Sequence, residues 1–495
     1  MVAHLHSPDE EYTPHCFIAT LPPETLGEIL VRCVDPLHSF GALKSTPSKK
    51  YPSHNFPIYL AQISSWWRRV ALHTPALWSA VHLMLTDGTA ERNGAVLASV
   101  DGWLAHGIKG QLTLDMSTQF RPTQDLSAEA AAIGKLLSLY ASDLKRFSLL
   151  DIPEVILRDA LEALSHHSFT SLEAINIYPS DARIWSSHFD ILRDLHRLRE
   201  VHLDTKEYVR HDVSLLCLPW GQLKSLSITT PVFSMPCLHM LAKCPALKSL
   251  KLRIIAGGGS LPRSPILLEH LTSLSVELHT SDESIDPFLA ALRLPIIMHL
   301  SLLLGRFSLP WNPLISHFWS RHAGQLRRAT LAFPAFDDLT TLCRTMPALE
   351  ALTLFIPLRL HVLDALREEH LLPRLTRLTA PIEYDRSVPL PTSIRRILVF
   401  LEQRSGSTLD PSPLALARLQ EVKFRDETPY GGNPWIFFEP GDSFGSAMEE
   451  ELGIRALKAV GVDIQWEVDC RDIFLPRIKP ARNVVLRRRL ADSTN

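Results

Sequence analysis

Paired cysteines, long apolar runs and an excess of charge are what this chain lacks. Its seven cysteines are scattered from Cys16 to Cys470 with no CxxC spacing, so neither a zinc site nor a disulfide framework is indicated. No apolar stretch reaches the roughly 18 residues that a membrane-spanning helix needs. The formal net charge is −2, so no global field draws the chain to nucleic acid or to an anionic membrane. Residues Met1 to Glu10 lack a basic stretch followed by an apolar core, so no secretory signal is expected. The final residues form no prenylation box. These absences set the expected location as cytoplasm or nucleus, with reduced thiols.

Catalytic constellations are equally scarce. Gly441-Asp442-Ser443-Phe444-Gly445 fits G-x-S-x-G, but such a triad needs a histidine later in the chain, and none follows Ser443. Ser446 and Glu449 instead have the spacing of a capping box. Gly257-Gly258-Gly259-Ser260 lacks the lysine of a phosphate loop and reads as a flexible connection. The histidines, His166-His167 included, show no metal-ligand spacing. Arg487-Arg488-Arg489 reads as a solvated tail. No enzyme activity, cofactor or metal is expected.

What is present begins near residue 21. Pro22 and Pro23 suit the approach to a helix and its first turn, where a missing N–H costs little. Leu26, Ile29 and Leu30 then recur on one helical face. A second set, Leu60, Ile63, Trp67 and Val70, repeats at helical spacing before Pro75. Between them, Asp35 to Phe56 is rich in Pro, Ser, Lys and His and reads as a mobile loop. A unit this small has too little core to stand alone, so part of its apolar surface is expected to meet a partner. Each Leu, Ile or Trp so covered contributes roughly 1.5–3 kcal/mol.

Leu21-Pro22-Pro23-Glu24, Ile63-Ser64-Ser65-Trp66-Trp67-Arg68-Arg69-Val70-Ala71 and Thr74-Pro75-Ala76-Leu77-Trp78-Ser79 together resemble an F-box in the form common in large fungal families. Where that form usually carries Val-Cys before the Trp-Arg pair, this chain has Ile63-Ser64 and a doubled tryptophan. The resemblance implies docking to a Skp-type adaptor and through it to a cullin. Its adaptor contacts would fall on Leu21, Pro22, Ile29, Leu30, Ile63, Trp67 and Trp78, with an internal core role as the alternative for each.

From about residue 108 onward the pattern apolar-x-x-apolar-x-apolar returns, as in Leu172-Ile175-Ile177, Leu198-Val201-Leu203, Leu223-Leu226-Ile228 and Leu247-Leu250-Leu252. From Leu172 to Leu375 the steps between first positions are 26, 25, 24, 24, 26, 29, 23 and 26. That is the leucine-rich-repeat range. The series continues to Ile394-Ile397-Val399 and Leu419-Val422-Phe424, and Leu112-Thr113-Leu114 is expected as its first strand. The alternating end of each pattern predicts a short strand. The segments between carry helical spacing that ends near a proline, as at Cys244-Pro245-Ala246-Leu247 and Met346-Pro347-Ala348-Leu349.

The expected fold class is therefore α/β, a small helical F-box head followed by a degenerate leucine-rich-repeat solenoid. The expected divisions are 1–15 disordered, 16–85 helical with an insert at 35–56, 86–470 solenoid and 471–495 a basic tail. Outward strand residues would line the concave face. They include Arg146, Lys251, Arg328, Arg377 and Arg396, and over the whole strip six Lys/Arg stand against two Glu. An acidic or phosphorylated protein substrate is the partner such a strip would suit. The functional expectation is a substrate receptor of an SCF-type cullin ubiquitin ligase. The alternative is a leucine-rich interaction scaffold with no ubiquitin role.

Overall fold

The computed structural model describes residues 21–33, 56–86, 90–119, 126–165, 169–179, 189–204, 216–255, 262, 264–278, 286–304, 313–332, 339–355, 358–383, 400, 421–426 and 463–468. The chain divides into two compact units, Met1–Glu207 with Cys217–Pro219, and Tyr208–Leu216 with Trp220–Asn495.

The first unit opens with helices α1 (Pro23–Cys33), α2 (Phe56–Ile63) and α3 (Ser65–Leu72) and a 3-10 turn, Pro75–Trp78. Strand and helix then alternate: β1 (Ala80–Thr86), α4 (Ala90–Leu104), β2 (Leu112–Gln119), α5 (Ser127–Tyr140), β3 (Leu144–Ile152), α6 (Glu154–Ser165), β4 (Ala174–Pro179) and β5 (Glu200–Leu203). The five strands pair in chain order, every pair parallel, as strands joined by helical crossovers do. Alternation decides which side chains enter the core. On β2, Leu112, Leu114 and Met116 are buried while Thr113, Asp115 and Ser117 lie on the opposite face.

The second unit repeats the same logic. Its elements are β6 (Ser225–Phe233), α7 (Ser234–Leu241), β7 (Ser249–Ile255), β8 (Ile266–Leu267), β9 (Ser273–Leu278), α8 (Asp286–Ala291), β10 (Leu292–Arg293) and β11 (His299–Leu304). They continue as α9 (Pro313–His322), β12 (Arg328–Ala332), α10 (Leu339–Arg344), β13 (Ala351–Leu354), β14 (Leu358–Arg359), α11 (Leu360–Glu368), β15 (Arg377–Glu383), β16 (Glu421–Asp426) and β17 (Asp463–Val468). The longer strands form one parallel ladder in chain order, from β6 through β7, β9, β11, β12, β13, β15 and β16 to β17.

Register keeps equivalent positions level. Leu226, Leu250, Leu274, Leu300, Ala329, Leu352 and Leu378 stand side by side and are all buried. The entry to each strand is also the same. The first apolar residue closes a tight turn on the carbonyl three residues back, as Leu247 does on Cys244, Leu349 on Met346 and Leu375 on Leu372. Just after it, one carbonyl accepts two N–H groups from the next strand: Lys224 O from Lys248 and Ser249, Lys248 O from Thr272 and Ser273, Thr272 O from Met298 and His299. Both lone pairs are thereby used.

Two expectations need correction. A small helical F-box head set ahead of a solenoid is not what forms. Helices α1 to α3 belong to the same compact unit as β1–β5. Trp78 packs edge-on against Trp103 of α4 at 4.8 Å, so the chain's own next helix covers surface that the sequence left open. Only the α/β character stands. Second, Leu112–Leu114 lies on the second strand, because β1 precedes and pairs with it. The expected repeat at Ile394–Val399 lies outside the described residues. Arg396 lies outside the described residues, as do the expected insert 35–56 up to its last residue, the Gly441–Gly445 motif and the 471–495 tail.

Candidate functional site

The N-terminal helices carry the residues that the resemblance singles out. Ser64 is the N-cap of α3, its hydroxyl accepting from the Trp67 N–H at 3.1 Å. A serine at this place satisfies an otherwise orphaned helix donor. Arg68 Nε donates to the Ala61 carbonyl at 2.9 Å and holds α3 against the end of α2. Thr74 Oγ1 donates to the Val70 carbonyl at 2.7 Å. Gly27 on α1 lies so close that a Cβ there would come within 2.9 Å of Thr74 Oγ1. The small residue is what lets α1 approach the turn.

Beneath this frame, Leu26, Leu30, Leu60, Val70, Ala71, Leu77 and Trp78 form one buried cluster, with Leu21 and Trp67 packed at its margin. Trp78 Nε1 donates to the Ala71 carbonyl at 2.7 Å, so the indole is satisfied internally. The seven expected adaptor residues therefore separate. Leu30, 1% exposed, and Trp78, 6% exposed, are core. Leu21 and Trp67 are half-buried, and Pro22 is exposed. Ile29 is 41% exposed and Ile63 59%. Leu72, 40% exposed, joins them and was missed by the sequence reading. Its signal was its place two residues beyond Val70, off the buried stripe of α3.

The strand faces carry the second set. Arg146 on β3 forms an ion pair with Glu200 on β5 at 3.4 Å. In the second unit Lys251 is level with Ser227 and Ser275 on its neighbouring strands. Arg328 is level with His299 and Ala351, and Arg377 with Ala351 and Glu421. Lys251, Arg328 and Arg377 are exposed. Burial, and then the Arg328 guanidinium beside it, hold the His299 imidazole below its ordinary value, while Glu350 opposes them. A neutral His299 leaves Arg328 as the cation of that pair. Arg328 and Arg377 flank one intervening strand, which sets them roughly 10 Å apart. Lys251 lies on a different row, three strands from Arg328.

Among the described residues no group of three His, Cys, Asp or Glu side chains could hold a metal ion, and no helix is long and apolar enough to cross a membrane. No protein-family model matches the sequence, and no curated protein matches it. Among solved structures a match is the yeast Rad7 and Elc1 complex, at 14% identity and a TM-score of 0.29, over 72% of this chain and 92% of that one. A likeness at that level carries no argument about fold or function.

Proposed function

We propose that this chain is a substrate-recognition subunit of an SCF-type cullin ubiquitin ligase, with its N-terminal helices docking on a Skp-type adaptor and its strand faces holding a protein substrate. The observation that carries the reading is the pair Ile29 and Ile63. Both belong to the F-box-like pattern, and both leave a large aliphatic side chain in water. Their exposed fractions together amount to about one whole side chain, so covering them contributes roughly 1.5–3 kcal/mol, a fair start for a docking interface around them. Pro22, Trp67 and Leu72 would extend it. The substrate side of the reading rests on Lys251, Arg328 and Arg377 and on the hydroxyl-rich strand positions around them. The role is binding, with no catalytic step on this chain.

The test is co-purification of the full chain with a Skp-type adaptor, comparing the native sequence with Ile29→Glu/Ile63→Glu. Both substitutions are on exposed positions, so the fold is expected to survive. A stable complex that the double variant loses supports the receptor reading. No complex, while the same adaptor captures a proven F-box protein in parallel, would leave an interaction scaffold with no ubiquitin role.

A further inference from the structure

One row on the second unit's outward strand face has a gap in it. Strand register sets His299, Arg328, Ala351, Arg377, Glu421 and Asp463 in that order on β11, β12, β13, β15, β16 and β17. Ala351 alone among them is short. Neighbouring strands lie about 4.8 Å apart, so Arg328 and Arg377 stand one strand to either side of it. Both arginines are exposed, and Ala351 is half-buried between them. Its methyl group leaves open the space that a long side chain would fill there. The row therefore has a solvent-facing notch with an arginine on either side.

Hydroxyls lie along one edge of the notch. Thr330, Thr353 and Thr379 come two residues further along the same three strands, level with one another and on the same face. All three are half-buried, so each keeps some surface in water. The nearby carboxylates are spoken for or stand farther off. Glu350, just before Ala351, pairs with Arg327 at 3.5 Å. Glu421 and Asp463 lie past Arg377 and bound the cationic stretch on that side.

Such a notch suits an anion with more oxygens than a carboxylate has. One guanidinium fork engages both oxygens of a carboxylate, which leaves the second arginine without an acceptor. A phosphorylated serine or threonine brings three acceptor oxygens and a charge of about −1.5 to −2. It can bridge both arginines and still accept from a threonine hydroxyl. Arginine reaches the middle of the notch from either side because its stem is long and the residue between is an alanine.

We propose, resting on the substrate side of the proposed function, that the Ala351 notch seats a single phosphoryl group on a serine or threonine of the partner polypeptide, so that capture waits on phosphorylation. The probe is a blocked peptide of glycine and alanine with one central phosphoserine, titrated into the full chain and followed by ligand-observed NMR. The same peptide with serine or glutamate at the centre, and inorganic phosphate, are run beside it. The phosphoserine peptide should bind about tenfold tighter than the glutamate peptide, and the serine peptide should not bind. Arg328→Lys and Arg377→Lys, which keep the charge and lose the fork, should each weaken binding about threefold. Ala351→Leu keeps both charges and fills the notch, and should weaken binding about tenfold at an unchanged urea midpoint. Ala351→Ser should bind like the native chain. Equal binding of the serine and phosphoserine peptides, no binding of the phosphoserine peptide, or native affinity in a folded Ala351→Leu chain would each overturn the proposal. Inorganic phosphate binding as tightly as the peptide would also overturn it, in favour of a free anion. Adaptor co-purification, repeated on the Ala351→Leu chain, should be unaffected, so failure of the notch and failure of the receptor reading are read separately.

Discussion

His322 ends α9 with its ring buried against Phe318, the ring centroids 4.8 Å apart. Burial, reinforced by the Arg293 charge, pushes its pKa down to about 4, although the Leu294 backbone favours the charged form. An unfolded histidine takes up its proton near pH 6.5, so folding requires the neutral ring. The stability that depends on this is fully present above pH 6.5 and is lost as pH falls toward 4. Its size is roughly 3 kcal/mol. At pH 5 only part of it is lost, so urea unfolding at pH 7.5 and pH 5 should differ by about 2 kcal/mol, and His322→Gln should flatten the difference. A difference untouched by the substitution would assign it to other groups. Cys244 is the converse case. Burial pushes its thiol up to about 12, and its Sγ–H donates to the Met240 carbonyl at 3.4 Å. The thiolate is the reactive form, so Cys244 should resist alkylation in the native chain at pH 8 and react on unfolding. Alkylation at the pace of a free thiol would show that the β7 entry turn opens in solution.

At the scale of an element, the N-cap of α3 can be separated from its surface. Ser64→Ala removes the acceptor for the Trp67 N–H and should cost about 1 kcal/mol, read as a lowered urea midpoint with an unchanged slope. Ile63→Glu, one residue away but exposed, should cost less than about 0.5 kcal/mol. If Ile63→Glu were the more damaging, Ile63 would be packed in solution and its proposed docking role would fail. The same elements show what the sequence could reveal. The strands were legible because alternation survives in every turn of the pattern, whatever the intervening helix, so Leu226, Leu250 and Leu274 could be aligned from sequence alone. The separateness of the N-terminal helices was misjudged because apolar content does not say what covers it. Trp78 finds Trp103 across a whole strand and helix, a pairing with no local signature. For the same reason Leu30 and Trp78 were grouped with Ile29 and Ile63, although their indole and leucyl groups point the other way.

For the whole molecule, the question is whether the cations of the second unit act on a partner together. Arg328 and Arg377 stand roughly 10 Å apart across one strand, within about one Debye length at physiological salt, so both can act on one short acidic segment. Arg327 nearby is already engaged with Glu350 at 3.5 Å, and Glu421 is level with Arg377 on the next strand. Any single exposed pair is worth only about 0.2–1 kcal/mol. Two attractions lost and two repulsions gained in Arg328→Glu/Arg377→Glu should therefore amount to about 2 kcal/mol, some thirtyfold in affinity. The probe is a blocked peptide with two phosphoserines, titrated into the full chain at two salt concentrations. Native binding should weaken as salt rises, and the double variant should bind weakly at both. Lys251→Glu, on another row three strands away, should have a smaller effect. Affinity that ignores salt and survives the double reversal would mean that these arginines only solvate the strand face, and the substrate would have to be sought elsewhere on the chain.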